Sequence, residues 1–223
     1  MTEKKWFFPA VLLLIVVLMG ALVGVSIYAA QKGQDEKYQG FEVERLSTNT
    51  YLVYTNKDAP VVTVYEDPMC PYCREFERQY GDDLTELAKE GKISIKYMMV
   101  NFLDSNSDTG DYSSRIIGAL QAAAGKDGET FLKFHEWVYE NQPMEGTSLT
   151  NEEILDGLSQ AGLQDTIAYT DERWKESLTA DVGETFKSMR EARGDLGVPT
   201  VVFKDELVNT DDPQWLETIK KSL

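Results

Sequence analysis

The sequence predicts an α/β domain that carries a helical insertion and follows a single long apolar helix. Three features indicate this architecture. Residues 6–30 form an uncharged apolar run, the β-branched strand 61–65 is followed by a helical segment and a second strand, and the signals of residues 101–177 are all helical. A strand, a helix and a strand in this order make a βαβ unit, in which the two strands run parallel.

The N-terminal apolar run is long enough to cross a bilayer as a helix. About 20 apolar residues span the roughly 30 Å of hydrocarbon, and residues 7–27 are apolar apart from one proline, two glycines and one serine. Lys4 and Lys5 precede the run and are expected to remain in the cytoplasm. We therefore expect a cytoplasmic tail of residues 1–5, a single-pass transmembrane anchor of residues 6–30 and an extracytoplasmic remainder.

A cleaved signal peptide is the alternative interpretation of this run. The apolar region of a signal peptide usually covers only about 7–15 residues before a small-x-small cleavage site. Here the run is longer, and Tyr28 would occupy the −3 position of the Tyr28-Ala29-Ala30 sequence. These two features favour an anchor that is retained.

The part of the chain after the anchor begins with a spacer. Residues 31–40 are polar and mixed in charge, which predicts a short link between membrane and domain. This link is too short to hold a dimerisation module, so we expect a monomer. The domain is predicted to span residues 41–223 and to begin with two antiparallel strands, 41–46 and 51–54, separated by the turn-prone residues 47–49.

The remaining elements follow from periodicity, capping residues and the positions of glycines and prolines. The predicted helices are 71–90, 113–125, 127–142, 150–162, 164–176, 179–193 and a terminal helix from Asp212, and the predicted strands are 61–65, 93–100, 198–203 and 207–208. The helical insertion covers about residues 101–177. Thr150 opens a capping box at the start of helix 150–162. Thr179 is expected to cap helix 179–193, and Pro213 is expected in the first turn of the terminal helix.

The charge balance of the chain excludes one class of partner. The chain has 22 Lys and Arg residues against 38 Asp and Glu residues, a formal net charge of −16 at pH 7. Nucleic-acid binding needs a cationic surface that neutralises phosphates. We therefore expect no nucleic-acid partner.

Cys70 and Cys73 are the only cysteines of the chain, and His135 is its only histidine. They cannot supply the four ligands of a structural zinc site, so we expect no metal. In an exported domain the pair meets oxidising conditions and is either an inert staple or a redox centre. A disulfide across a four-residue loop removes little chain entropy and stabilises weakly, which favours the redox centre.

The position of the pair at a strand-to-helix junction predicts that the two sulfurs differ. Pro71 suits the first residue of a helix, which makes Cys70 the N-cap. The Cys70 sulfur then faces the unpaired N–H groups of Tyr72 and Cys73 and the positive end of the helix dipole. Both favour the thiolate, so Cys70 is predicted to be the attacking or attacked sulfur. Cys73, one turn further, is expected to be more buried and to resolve mixed disulfides.

Two motifs resemble those of one known family. Cys70-Pro71-Tyr72-Cys73 after a core strand, followed later by Gly197-Val198-Pro199-Thr200 before the last hairpin, is similar to the DsbA-type thiol:disulfide oxidoreductases of the thioredoxin fold. With its helical insertion and membrane tether, the chain most resembles the BdbD-like and actinobacterial branches of Gram-positive cells. The resemblance implies a cis Pro199, places Val198 beside the cysteines, and makes these two residues the expected substrate-binding residues.

By this resemblance the chain is an oxidase that introduces disulfides into reduced secreted or surface proteins. Cys70 and Cys73 are the expected catalytic residues, Pro71 and Tyr72 the expected redox-tuning residues, and no cofactor is expected. A quinone-linked membrane protein of the DsbB or VKOR type is the implied reoxidant. Two alternatives stay open, namely an extracytoplasmic disulfide reductase and a tethered binding module whose cysteines form an inert bridge.

Two departures from the family pattern leave the proton chemistry and the oxidising strength open. Many relatives carry a buried carboxylate six residues before the first active-site cysteine, where this chain has Val64. Glu66 or Asp67 could accept the proton of the second cysteine, although we expect both to be solvated in a loop. Strongly oxidising members often have histidine at the position of Tyr72, and a neutral phenol supports a thiolate less. His135 is expected to be a helix residue with no catalytic task.

Overall fold

The computed structural model describes the backbone of residues 7–164 and 174–223. It describes the burial of side chains in residues 11–26, 36–164 and 178–223. The chain separates into a unit that ends at Gln39 and a second unit, Gly40–Leu223. Both cysteines and all the described strands belong to the second unit.

The N-terminal unit contains one helix, α1 (Phe7–Tyr38). The spacer predicted at residues 31–40 is therefore helical up to Tyr38, because its glutamine, lysine and glutamate residues are good helix formers. Within residues 7–164 and 174–223, none of the helices combines the length and the apolarity of a membrane span. The anchor predicted at residues 6–30 lies partly outside the described residues.

The second unit is built on one mixed sheet of six strands. In spatial order the strands are β1 (Glu42–Arg45), β2 (Thr50–Tyr54), β4 (Ser94–Met99), β3 (Val61–Glu66), β5 (Thr200–Phe203) and β6 (Glu206–Leu207). Strands β3 and β4 are parallel, and every other neighbouring pair is antiparallel. The predicted βαβ unit is confirmed, and the predicted strands differ from the observed ones only at their ends.

Strand β3 is the central strand that leads into the cysteine pair. Its residues from Val62 to Glu66 are buried, as expected for a β-branched run covered on both faces. Val64 pairs with Tyr97 of β4 on one side and with Val201 of β5 on the other. The loop after β3 therefore opens at the carboxyl end of the parallel pair, where α/β sheets commonly place their sites.

The single helix predicted at residues 71–90 is divided into three parts. They are α2 (Pro71–Phe76), a π-helical turn (Glu77–Gly81) and α3 (Asp82–Lys89). A π-helical turn bonds each residue to the fifth one along instead of the fourth, which changes where the side chains of the turn point. Gly81 leaves room for the carboxylate of Glu77, because a Cβ at Gly81 would lie 2.7 Å from Glu77 Oε2.

The insertion between β4 and β5 is helical, as predicted. Its described helices are α4 (Tyr112–Ala124), α5 (Gly128–Glu140), α6 (Asn151–Gln160) and α7 (Trp174–Arg193). Asp127 caps α5 by accepting a hydrogen bond from the N–H of Thr130, and Thr150 and Glu153 form the predicted capping box. The helix predicted at residues 164–176 lies mostly outside the described residues.

Two predicted helix starts are wrong. Thr179 does not cap a helix, because it lies within α7, which already runs from Trp174. No glycine or proline separates these two residues, so the local sequence does not interrupt the helix there. The terminal helix, α8, is Trp215–Ser222. Pro213 lies ahead of it, because the aspartate before this proline accepts a hydrogen bond from the N–H of residue 214 and turns the chain first.

Helix α5 packs one of its faces against the sheet. Phe131 contacts Tyr51 of β2 with ring centroids 4.8 Å apart, and His135 contacts Tyr97 of β4 at 4.3 Å. Phe131, His135 and Tyr139 follow at intervals of four residues and therefore share one helix face. The packing that buries Phe131 thus also directs His135 and Tyr139 toward the sheet.

Candidate redox site

The two cysteines lie where the loop after β3 meets the start of α2. Cys70 is the N-cap in an extended conformation (φ −73°, ψ 119°), and Pro71 is the first helical residue. Cys70 is 5% exposed and Cys73 is 0% exposed, and both carry free thiols. The expected order of burial is confirmed, although Cys70 also presents only a small part of its surface to solvent.

The surroundings of Cys70 favour its thiolate. A hydrogen bond with the Cys73 side chain is the largest cause that lowers the pKa of Cys70, from 9.0 to about 7. The N–H groups of Cys73 and Tyr72 lower this pKa further, whereas burial and the charge of Asp67 oppose the shift. Because the Cys70 side chain makes no capping hydrogen bond of ordinary geometry, these N–H groups act mainly through the field of the helix N-terminus. The neighbouring thiol therefore contributes more than the helix end that the sequence indicated.

Cys73 has the opposite preference. Burial raises the pKa of its thiol well above 9.0, and the hydrogen bond with Cys70 and the charge of Glu66 raise this pKa further. Cys70 therefore ionises near neutral pH, whereas Cys73 keeps its proton. This is the difference in acidity that separates an attacking thiol from a buried resolving one.

The loop before β5 reaches the cysteines from another side. The Val198–Pro199 peptide bond is cis, as the family resemblance implied, and Cys70 Sγ lies 3.7 Å from the carbonyl oxygen of Val198. The Val198 side chain packs on a buried cluster that contains Cys70, Cys73 and Tyr139. Val198 and Pro199 are thus next to the redox pair, and their role toward a substrate stays a prediction.

A groove lies beside the N-cap cysteine. Its lining includes Val198, Pro199 and Val201 from the β5 side and Tyr72 and Gln79 from the helical side. Tyr72 is 74% exposed, so it is available to a bound chain and is not part of the core. The groove therefore contains both predicted substrate-binding residues and one predicted redox-tuning residue.

Glu66 and His135 form a buried hydrogen-bonded pair at the end of β3. His135 Nε2 lies 2.9 Å from Glu66 Oε2, and the two side chains are 3% and 0% exposed. Burial raises the pKa of Glu66 to about 8, against smaller opposing contributions from Glu77 and Tyr139. Burial also lowers the pKa of His135. The prediction that Glu66 is solvated in a loop is wrong, because it is the last residue of a strand that is covered on both faces.

Glu77 from the π-helical turn extends this pair toward the surface, and the sequence had not singled it out. Its Oε2 lies 3.8 Å from His135 Nδ1, and its side chain is 11% exposed. In the described part of the chain, Glu66, Glu77 and His135 also place three possible ligand atoms within 4.8 Å of one another. We refer to these three side chains as the Glu66–His135–Glu77 cluster, in which Glu66 Oε2 and His135 Nε2 are hydrogen-bonded to each other.

Asp67 is buried and holds the loop between β3 and α2. Its carboxylate accepts hydrogen bonds from the N–H of Met69 at 2.9 Å, the N–H of Leu103 at 3.0 Å and the hydroxyl of Ser113 at 2.5 Å. Burial raises the pKa of Asp67 to about 6, although these hydrogen bonds oppose the shift. The prediction of a solvated Asp67 is therefore also wrong, because the helical insertion covers this loop.

Two further side chains hold the site and were not foreseen from the sequence. Tyr139 packs on both cysteines, and Gln142 donates hydrogen bonds to the carbonyl oxygens of Pro68 at 2.8 Å and Cys70 at 3.0 Å. A signal existed for Tyr139, because it follows His135 by four residues on the same helix. No local signal marks Gln142, whose contacts depend on how the insertion folds back over the loop.

Comparison with known proteins agrees with this fold. The chain matches the Thioredoxin_4 family model, described as thioredoxin, over residues 47–222. It is 27% identical over 161 residues to the serine/threonine-protein kinase PknE of Mycobacterium tuberculosis, a match that covers 70% of this chain and 28% of that protein. The chain thus spans less than a third of the length of this curated relative.

Two solved structures are similar to the chain over most of their length. MdbA, a thiol-disulfide oxidoreductase from Corynebacterium diphtheriae, superposes with a TM-score of 0.70 at 20% identity and covers 83% of this chain and 98% of its own. Reduced DsbA from Mycobacterium tuberculosis superposes with a TM-score of 0.60 at 27% identity and covers 72% and 81%. These matches confirm the expected thioredoxin fold and the resemblance to the DsbA type.

Proposed function

Because the chain belongs to the thioredoxin family, we propose that it is an extracytoplasmic thiol:disulfide oxidoreductase that oxidises reduced secreted or surface proteins. The observation that carries this proposal is the asymmetry of the Cys70–Cys73 pair. The pKa of the N-cap thiol is lowered to about 7, whereas that of the fully buried thiol is raised well above 9.0. A structural disulfide has no need of this difference, while thiol–disulfide exchange depends on it.

In the oxidising direction the Cys70–Cys73 disulfide is the oxidant. A substrate thiolate attacks Cys70 Sγ, the bond to Cys73 Sγ breaks, and Cys73 leaves as a thiolate that takes up a proton. A second substrate thiolate then attacks the substrate sulfur of the mixed disulfide and expels the Cys70 thiolate. Two electrons pass from the substrate thiols to the cysteine pair, and the substrate gains one disulfide.

The surroundings of the pair support Cys70 as the sulfur that a substrate meets. Its lower pKa makes it the better leaving group in the second step, because a leaving thiol of lower pKa departs faster. Val198 and Pro199 lie beside it in the groove. We propose that an extended substrate segment lies along these residues and brings its thiolate to Cys70 Sγ.

The acidity of Cys70 is only moderate, which favours a second candidate, a disulfide reductase. A stabilised thiolate exists only in the reduced protein, so it raises the reduction potential of the pair. The pKa of Cys70, about 7, equals the value of about 7 typical of thioredoxin and lies far above the value of about 3.5 typical of DsbA. The 27% identity to a DsbA supports the oxidase instead.

The reduction potential separates these two functions. Full-length protein in detergent is equilibrated with glutathione buffers, and the redox state of Cys70 and Cys73 is followed by alkylation and mass spectrometry. An oxidase should give a value between roughly −180 and −120 mV, whereas a value near roughly −270 mV would identify a reductase. A pair that does not exchange with glutathione would contradict both and leave the inert bridge of a binding module.

We further propose that residues 6–30 anchor the domain outside the cell membrane. Lys4 and Lys5 stand ahead of the uncharged run, and positively charged flanks remain in the cytoplasm. Protease added to protoplasts should digest the domain. In untreated cells, the full-length protein should fractionate with the membrane. Release of a mature form that lacks residues 1–30 would contradict the anchor. In the anchored protein, the reduced Cys70–Cys73 pair would be reoxidised at the membrane by a quinone-linked protein of the DsbB or VKOR type.

A further inference from the structure

The Glu66–His135–Glu77 cluster takes no part in the exchange steps above, although it lies in the interior of the domain. Three segments supply it, because β3 ends at Glu66, the π-helical turn begins at Glu77 and α5 contains His135. Charged and polar groups are costly to bury unless they are hydrogen-bonded, paired with an opposite charge or bound to a metal. The cluster therefore needs a physical explanation that the cysteine pair does not provide.

The hydrogen bond between Glu66 and His135 meets only part of this requirement. Glu66 Oε2 lies 2.9 Å from His135 Nε2, but Glu66 Oε1 is buried and makes no hydrogen bond of ordinary geometry within the described residues. The hydroxyl of Tyr139 is buried in the same way. Tyr139 is 3% exposed, its ring contacts that of His135 with centroids 5.2 Å apart, and its hydroxyl acts on the Glu66 carboxyl group. Such atoms in a folded protein call for an explanation, and a bound ion is one of the common ones.

The three side chains of the cluster are close enough to share one ion. Each offers one ligand atom, and these atoms all lie within 4.8 Å of one another. Nitrogen and oxygen ligands bind a four-coordinate zinc ion at about 2.0–2.2 Å, so they lie roughly 3.4 Å from each other. The separation of 2.9 Å between Glu66 Oε2 and His135 Nε2 and that of 3.8 Å between Glu77 Oε2 and His135 Nδ1 lie on either side of this value. Small side-chain movements are therefore enough to form the site.

The π-helical turn brings Glu77 to the cluster and leaves it room to move. Such turns are rare and occur frequently at functional sites. A Cβ at Gly81 would lie 2.7 Å from Glu77 Oε2, so the glycine keeps space open for the carboxylate. The Glu77 side chain is 11% exposed, whereas that of Glu66 is fully buried. Glu77 therefore connects the cluster to the surface, where an ion enters.

The charges around the cluster favour a cation. Glu66 and Glu77 themselves supply two carboxylates. The charged groups that act on His135 are Glu77 and Glu136, and Cys70 acts on Glu66. Each of these neighbours is negative when ionised, so none of them balances the carboxylates. A single divalent cation would balance both.

We propose that Glu66, Glu77 and one imidazole nitrogen of His135 bind a divalent transition-metal ion, with Zn²⁺ as the best fit. Carboxylate oxygens and imidazole nitrogens are ordinary zinc ligands, and three protein ligands leave the fourth position to water. Ca²⁺ and Mg²⁺ fit less well, because both prefer oxygen ligands to an imidazole. The two cysteines and one histidine cannot form a structural zinc site by themselves, but the fold brings two carboxylates to the histidine.

Tyr139 acts as a positioning residue for this ion. Carboxylates that bind a metal are themselves usually hydrogen-bonded, and these second contacts orient the ligand. The buried hydroxyl of Tyr139 supplies such a contact to Glu66 when the carboxylate turns toward the ion. The bound ion joins β3, the π-helical turn and α5, so it should stabilise the folded domain. Its binding does not depend on the thiol–disulfide exchange proposed above.

The test measures Zn²⁺ binding to the full-length protein in detergent by isothermal titration calorimetry, after treatment with a chelator and removal of the chelator. Thiolates are strong zinc ligands, so every measurement is made in a protein that carries both Cys70→Ser and Cys73→Ser. The ligand variants are Glu66→Gln, Glu77→Gln and His135→Gln. Glu75→Gln is the matched control, because Glu75 is 57% exposed and pairs with Arg78 on the surface. The melting temperature of each metal-free variant shows whether it is folded.

The proposed site gives a distinct result for each variant. The parent protein should bind one Zn²⁺ per chain, and bound Zn²⁺ should raise its melting temperature. Each ligand variant should weaken binding by about 100-fold or more, because even the loss of a group that orients a ligand costs roughly 10–100-fold. Tyr139→Phe keeps the ring and removes the hydroxyl, so it should weaken binding by roughly tenfold. Glu75→Gln should bind Zn²⁺ as the parent protein does.

Several outcomes would overturn this site. The absence of Zn²⁺ binding to the parent protein would do so, and so would equal affinity in a folded Glu66→Gln protein. If Glu66→Gln does not fold, equal affinity in Glu77→Gln, whose side chain reaches the surface, would be equally decisive. Zn²⁺ that stays bound in all three ligand variants would be held by the acidic surface instead. The reduction potential of the cysteine pair tests the proposed function separately, so either proposal can fail without the other.

Discussion

Replacement of Cys73 by alanine should raise the pKa of Cys70. The Cys73 side chain provides the hydrogen bond that is the largest cause lowering the pKa of Cys70 to about 7. Alanine removes this donor and leaves in place the backbone N–H groups at the start of α2. The variant therefore separates the contribution of the neighbouring thiol from that of the helix N-terminus.

The size of the shift follows from the strength of one hydrogen bond to a charged group. Such a bond is worth about 1.5–3 kcal/mol, and one pKa unit corresponds to about 1.36 kcal/mol. We use the low end, because a thiol is a weak hydrogen-bond donor. The pKa should then rise by about one unit, and the thiolate fraction at pH 7 should fall from about one half to roughly one tenth.

Alkylation of Cys70 by iodoacetamide as a function of pH measures this shift. Cys73→Ser is the matched control, because a hydroxyl keeps a donor at the same position and should hold the midpoint near that of wild type. Unfolding in urea should bring Cys70 to the ordinary pKa of a free thiol in both variants. If Cys73→Ala and Cys73→Ser had the same midpoint, the helix N-terminus and not the Cys73 side chain would control the acidity of Cys70.

The remaining predictions concern substrate trapping, the packing of α5 and the pH dependence of stability. Cys73→Ala should accumulate mixed disulfides with reduced proteins, seen on non-reducing gels, whereas Cys70→Ala should accumulate few. The reverse pattern would make Cys73 the sulfur that substrates attack and Cys70 the resolving one. Gly128→Ala should lower the free energy of unfolding in urea by about 1–3 kcal/mol, because a Cβ would lie 2.5 Å from the carbonyl oxygen of Phe41; an unchanged value would mean that the backbone yields freely. The pKa of Asp67 is raised from 3.8 to about 6 in the folded state, so its contribution to stability is full below about pH 4 and is lost as pH rises through 6. Asp67→Asn should remove this part of the pH dependence of the urea midpoint, and identical slopes would contradict it.

Local patterns were sufficient for the elements that carry the cysteines. The β-branched run 61–65 predicts a strand covered on both faces, because such side chains favour the pleated backbone and have no polar face to expose. Pro71 predicts a helix start, because its ring holds φ near the helical value and it has no N–H to leave unpaired. Together these features place Cys70 at the N-cap and Cys73 one turn inside the helix.

Local patterns failed where distant segments create the surroundings of a side chain. Glu66 and Asp67 follow one another at the end of a strand, and charged residues are rarely buried, so a solvated loop was the natural expectation. The partner of Glu66 is 69 residues further along the chain, and the hydroxyl that bonds to Asp67 is 46 residues away. The π-helical turn also escaped detection, because its first four residues are all compatible with an α-helix.

The α/β class, the helical insertion and the place of Cys70 at a helix N-cap could all be predicted from the amino-acid sequence. These properties depend on periodicity and on helix capping, both of which act over a few residues. Only the tertiary structure decided that Glu66 is buried, that His135 bonds to it and that Glu77 reaches the same cluster. Burial and charge act through space and not along the chain, so a cluster made from β3, the π-helical turn and α5 exists only after these segments pack together.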